Sequence, residues 1–181
     1  MPSGFSHAFV GAALGALFRR PGPPLRFWLA GAACAASPDL DVVGPLWLGV
    51  PWGSMFGHRG ITHSLTFAVA LGGLVTALFF QGPEWRGHRL STWLFLSLAT
   101  ASHGVLDSMN NGVTGVAFFA PFDAGRYFML WRPIPVSPFA LRFFSARGWA
   151  VFQSELLMIW LPLAVLAVLA WAVRRRVDGP R

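Results

Sequence analysis

The chain reads as all-α: a polytopic membrane bundle of about five helices with an interfacial cap rich in aromatic rings and arginine. Three observations predict this fold class. Composition is 55% hydrophobic and only 12% charged, with nine Trp and seventeen Phe, a profile that a soluble domain of this size would struggle to keep in water. Charge-free apolar runs recur at residues 4–18, 27–38, 60–83, 91–106 and 156–173. Ionisable groups gather at the ends of these runs, where they are costly and rarely kept without a job.

A hydrocarbon core of ~30 Å needs about 20 helical residues. The run at 4–18 is short, and its Gly11 and Gly15 form a Gly-x-x-x-Gly step that lets helices pack closely. The run at 27–38 is shorter still, so both are expected to be tilted, buried in protein or only partly spanning. Residues 42–57 are apolar but carry Gly44, Pro45, Gly49, Pro51 and Gly53, which predicts a loop or a re-entrant piece. The run at 60–83 is long enough to span, and those at 91–106 and 156–173 nearly so. Between the last two, residues 108–153 mix Asn110, Asn111 and four prolines with Tyr127, Trp131, Trp149 and many Phe. That mixture predicts a cap at head-group depth, where rings with a polar edge are favoured. No repeat, low-complexity tract or linker divides residues 1–181, and no cleavable signal pattern opens them.

The net charge of +7 comes from fourteen basic residues, all arginine. In a membrane protein this points to cytoplasmic loops and anionic lipid head groups as partners, not nucleic acid. Cys34 is the single cysteine and lies inside an apolar run, so it is read as a packing residue, with no disulfide framework and no thiolate zinc site. If the helices alternate and Arg174, Arg175 and Arg176 are cytoplasmic, then Arg19, Arg20, Arg26, Arg86 and Arg89 are cytoplasmic too. The same alternation collects His7, Asp39, Asp41, His58, His63, His103 and Asp107 on the opposite, non-cytoplasmic face. In the cap, Arg126, Arg132, Arg142 and Arg147 break the charge rule: they hold phosphates, or the orientation is inverted.

Those seven residues are the candidate metal ligands. His103 and Asp107, four apart, share one helical face and can clasp an ion or make a helix-terminal hydrogen bond. Asp39 and Asp41 follow Pro38 and project from an extended turn or end a helix. His58 is expected from the loop and His63 from the first turn of the next helix, with Thr62 or Ser64 able to cap it. Imidazole and carboxylate without thiolate suit catalytic zinc, and also manganese or iron. Seven candidates exceed one tetrahedral shell, so one or two ions fit. Arg59 can pair with a phosphate oxygen or hydrogen-bond to Asp39 or Asp41. Glu155, at the expected start of the last helix, is a ligand, a general acid or base, or a carboxylate favoured by the helix N-terminus. His88 sits with Arg86 and Arg89 away from the other histidines, and Asp123 reads as a turn residue.

The elements Ser6-His7-Ala8-Phe9 with Gly11, Pro38-Asp39-Leu40-Asp41, His58-Arg59-Gly60-Ile61-Thr62-His63-Ser64 and His103-Gly104-Val105-Leu106-Asp107 resemble the membrane-bound metal-dependent hydrolase family that includes the LexA-regulated inner-membrane hydrolases. The resemblance covers roughly residues 5–140. It implies a multi-pass inner-membrane protein of a prokaryote with these His and Asp as metal ligands. A more distant similarity to zinc-dependent phospholipases C lacks the second His-x-x-x-Glu motif of those enzymes. Three function classes follow: a metal-dependent hydrolase acting on a lipid or lipid-linked phosphoester, a metal-ion transporter or channel, and a non-catalytic membrane protein with a structural metal. A conducting path needs polar groups at several depths, and Thr76 is almost the only one in the inner half of the 60–83 run.

Overall fold

The structure, a computed structural model, describes residues 1–18, 24–138 and 140–178. Arg19 and Arg20 lie outside the described residues, as do the side chains of Arg174, Arg175 and Arg176. The helices are α1 Gly4–Leu14, α2 Leu25–Ala36, α3 Val43–Trp47, α4 Leu65–Phe79, α5 Arg89–Ser108, α6 Ala146–Glu155 and α7 Leu161–Asp178. No strand forms among the described residues. Two isolated bridges, Asn110 with Ile134 and Val116 with Tyr127, tie the cap segment to itself.

At the centre lies α5, which packs on α1, α2 and α4. Its Phe95, Leu96 and Ala99 are fully buried against Phe27, Cys34, Ala35, Phe80 and Trp85, so Cys34 is a packing residue as expected. Close approach of α1 and α2 depends on Gly11: a Cβ there would collide with the Gly31 carbonyl and the Ala35 side chain, which is the packing role of a small residue at a helix crossing.

Among the described residues one helix, Ala146–Ala170, is long and apolar enough to cross a membrane, and only 17% of its most apolar window is buried within the chain. That leaves an apolar surface of the kind that lipid covers. The expectation of about five spanning helices is met by this one alone; α5, with 20 residues, is long enough but not apolar enough, and three others are too short. The helices α1, α2 and α4 have 11, 12 and 15 residues, against the ~20 that a straight span requires. In the 60–83 run the shortfall has a local cause. Ser64 accepts from Phe67 N at 3.0 Å and caps α4, so the residues before it form a separate 3-10 turn, Ile61–His63.

The last helix starts earlier than the charge-free run indicates. Residues 146–178 are continuous helix, with Ser145 capping Gly148 N at the start and a π turn, Leu156–Trp160, joining α6 to α7. The last eight residues of the 108–153 cap are therefore α-helical. Glu155 interrupts the charge-free pattern without ending the helix.

Candidate metal centre

The seven candidate ligands converge at one end of the bundle. The 3-10 turn Ser37–Val42 extends α2 and carries Asp39 and Asp41, and Ile61–His63 presents His63. The first turns of α1 supply His7, and the last turns of α5 supply His103 and Asp107. Ligand atoms of Asp39, His63, His103 and Asp107 lie within 4.8 Å of one another, as do those of Asp41, His58 and His63. His7 joins the first group: its Nε2 is 3.4 Å from Asp107 Oδ1, and its ring stacks on His103 with centroids 3.7 Å apart.

Hydrogen bonding separates the two groups. His103 Nδ1 lies 2.7 Å from the Ala35 carbonyl, which only accepts, so this nitrogen carries the proton and Nε2 keeps its lone pair. His63 Nδ1 faces Asp41 Oδ2 at 3.2 Å, and Nε2 again points into the cluster. Buried atoms without a hydrogen-bond partner include His63 Nε2, His103 Nε2, Asp39 Oδ1, both Asp107 oxygens and both His7 nitrogens. Buried polar atoms are normally paired, so this concentration of orphans is the observation that a cation fits.

Spacing agrees. Bonds of ~2.0–2.2 Å place tetrahedral donors about 3.3–3.6 Å apart. His103 Nε2 to Asp39 Oδ1 is 3.4 Å and His63 Nε2 to Asp107 Oδ2 is 3.6 Å, both in that range, and His63 Nε2 to Asp39 Oδ1 is 3.8 Å, slightly beyond it.

Asp41 is already engaged. Its Oδ1 lies 2.9 Å from His58 Nδ1, and its Oδ2 accepts from Arg59 N at 3.0 Å and Thr62 Oγ1 at 2.7 Å. Burial pushes the Asp41 carboxyl up, but the hydrogen bonds from His58 and His63 outweigh it and hold the group well below the usual carboxylate range. For His63 burial acts downward, and the Asp107 and Asp41 carboxylates overcome it and raise the imidazole in the ion-free site; an ion at Nε2 would take the place of that proton. A carboxylate behind a ligating imidazole fixes its tautomer and aim.

The Arg59 side chain is buried, with Nε 3.0 Å from Asp107 Oδ2 and Nη1 donating to the Thr114 carbonyl. Its partner is thus Asp107, not the side chains of Asp39 or Asp41. Its backbone sits at φ 63, a left-handed conformation that is strained for a side chain of this size. Asp41, through Arg59 N, and the cap, through Ala117 N donating to Arg59 O at 3.0 Å, hold it there.

Glu155 takes a different place from that expected. It lies at the end of α6, fully buried, and accepts from Ser3 N at 2.6 Å, Ser3 Oγ at 2.5 Å and Ser6 Oγ at 2.7 Å. It clamps the start of α1, one residue from His7, and belongs to neither ligand group. A family model for the YdjM inner membrane protein matches residues 1–178. The chain belongs to the YdjM inner membrane protein family. It is 39% identical over 177 residues to inner membrane protein YbcI of Escherichia coli (strain K12), covering 97% of this chain and 100% of that protein. No solved structure matches.

Membership places this YdjM-family chain in the inner membrane, as the sequence resemblance implied. Sequence reasoning missed three supports of the centre: the Ala35 carbonyl, the Thr62 hydroxyl and the Thr114 carbonyl. Only Thr62 had a signal, its place inside the His58–His63 motif, and there it was weighed as a helix cap. Two cap arginines are also spent on carbonyls. Arg126 donates to His58 O at 3.1 Å, Gly115 O at 3.2 Å and Ser54 O at 3.0 Å. Arg132 donates to Asn110 O at 2.8 Å and to Gly112 O, and lies over the Phe128 ring. Asp123 forms the expected turn, accepting from Gly125 N at 2.8 Å.

Proposed function

We propose that this YdjM-family protein is a membrane-bound metal-dependent hydrolase that cleaves a lipid or lipid-linked phosphoester at the membrane surface. The observation that carries the reading is the set of buried donor atoms without a hydrogen bond on His7, Asp39, His63 and His103, gathered around the Asp107 carboxylate that Arg59 ion-pairs, next to a cavity of about 360 Å³ that reaches Asp39. A divalent ion there, zinc with manganese or iron as the alternatives, supplies Lewis acidity and a water acidified toward neutral pH. Asp41 and the Ala35 carbonyl aim His63 and His103, Arg59 offsets the charge of Asp107, and the strained Arg59 turn locks the cap over the donors. Asp39, with 19% of its side chain exposed, is the donor facing the cavity.

The transporter reading is weaker on a specific observation. Deeper in the bundle, Thr76, Thr92 and Thr100 donate their hydroxyls to carbonyls of Gly72, His88 and Leu96 four residues back. They offer no imidazole or carboxylate with which to continue a cation path.

Metal analysis of detergent-purified protein, followed by a screen of phospholipids and isoprenoid-linked phosphates for product release, tests the proposal. Hydrolysis that chelator abolishes and zinc restores is the expected result. Metal at background level, or metal flux into sealed vesicles without cleavage of any phosphoester, overturns it.

The same reading makes the protein multi-pass, with α1, α2 and α4 as short helices and the 20-residue α5 as a full-length one within the bilayer, and with the donors at the non-cytoplasmic end. A fluorescent protein fused after residue 181 is then expected to light up in the cytoplasm, and a reporter active only outside the cytoplasm to work when placed at Asn111. The reverse pattern moves the centre to the cytoplasmic face.

A further inference from the structure

Two cavities adjoin beside the metal centre. The one of about 360 Å³ reaches Asp39 and Val42 and is otherwise walled by residues 1–5 and by Ser137, Pro138, Phe143 and Phe144. The other, about 490 Å³, is lined by rings: Phe5, Phe143, Phe144, Trp149, Phe152 and Trp160. Phe5, Phe143 and Phe144 wall both, so the aromatic slot and the chamber at Asp39 share a partition.

One wall of the slot is rigid. Trp160 donates Nε1 to Ser6 Oγ at 2.8 Å and stacks on Phe9 at 4.0 Å. That wall belongs to the only described helix long and apolar enough to cross a membrane: Trp149 and Phe152 stand in its first two turns and Trp160 just past its middle, so the slot runs along the stretch where the helix enters lipid. Two exposed arginines, Arg142 and Arg147, bracket the Phe143-Phe144 pair. A slot of this volume is in the range of small-ligand sites; two exposed cations lie next to its lining residues in sequence, and the chamber beside it reaches the metal donor Asp39.

Apolar rings, flanking guanidinium groups and an adjoining metal centre are complementary to one kind of occupant. We propose that the slot holds a hydrocarbon chain of an anionic membrane phospholipid, which enters sideways from the bilayer with its phosphate held by Arg142 and Arg147 next to the chamber at Asp39. This deepens and rests on the hydrolase reading, because it makes an intact membrane lipid the substrate class.

The test uses the full chain in phosphatidylethanolamine vesicles containing phosphatidylglycerol whose acyl chain bears a diazirine. After irradiation, label on residues 143–160 is compared with label on residues 161–170, the lipid-facing continuation of the same helix. Expected are enrichment of about tenfold on the slot residues, competition by unlabelled phosphatidylglycerol but not phosphatidylcholine, and loss of the enrichment in Phe144→Glu and Trp149→Glu, since a carboxylate is disfavoured in an apolar slot. Both side chains are largely exposed, 78% and 59%, so the variants are expected to fold, and unchanged bound metal checks that they have. Labelling reads occupancy without turnover. Slot labelling in a protein that cleaves no lipid overturns the hydrolase reading and keeps the lipid site. Cleavage with label spread evenly over residues 146–170, or label indifferent to both substitutions, overturns the slot. Equal competition by phosphatidylcholine overturns the role of the two arginines.

Discussion

Asp107→Ala is expected to purify with bound metal at background level and to unfold well below the wild type. Two separate losses meet at this residue. Both carboxylate oxygens are buried, Oδ1 facing His7 and Oδ2 facing His63 and ion-paired with Arg59, so the variant removes a donor at the middle of the cluster. It also strands the buried Arg59 guanidinium, and an uncompensated buried charge of this kind costs about 3–5 kcal/mol. His103→Ala removes a donor but no charge, so it is expected to lose metal with a smaller fall in melting temperature. Adding Arg59→Leu to Asp107→Ala separates the terms: stability is expected to recover in part, and metal not at all. Metal content by mass spectrometry and thermal unfolding in detergent give the readout. Unchanged metal in both Asp107→Ala and His103→Ala would sink the assignment of the centre.

The position of the centre was legible in the sequence because burial penalises ionisable groups so strongly. His7, Asp39, His63, His103 and Asp107 interrupt runs that otherwise carry no charge, and alternation of the helices is enough to bring those interruptions to one end. What was not legible follows from groups that carry no residue signature. The Ala35 and Thr114 carbonyls orient His103 and Arg59, and any residue could supply them. Helix extent misled in both directions for physical reasons. Ser64 caps α4 later than the apolar run begins, and Glu155 sits inside a helix because Ser3 and Ser6 satisfy its carboxylate from across the fold. A charge was read as an end, and a buried, fully bonded charge need not be one. The arginines of the cap invited a phosphate reading, yet Arg126 and Arg132 pin loop carbonyls, and only Arg142 and Arg147 are left on the surface.

The division of labour between Asp41 and the unpartnered donors makes the second large prediction. The sequence treats Asp41 and His58 as ligands equal to the rest, and their atoms with His63 do form a group compact enough for an ion. In the structure, however, Asp41 binds His58, His63, Thr62 and the Arg59 amide, so its action on an ion runs through the aim of His63 and the geometry of the Arg59 turn. Asp41→Asn is therefore expected to keep one ion per chain while weakening its affinity roughly 10–100-fold, the cost typical of losing a carboxylate behind a ligating histidine. His58→Ala, which removes only one of the contacts of Asp41, is expected to weaken it less. Titration of metal-stripped protein with zinc reads stoichiometry and affinity together, which a ligand and a positioning group affect differently. Should the wild type bind two ions and Asp41→Asn only one, the ion lost was held at Asp41, His58 and His63, and the single-ion reading gives way to a pair of metals sharing one imidazole.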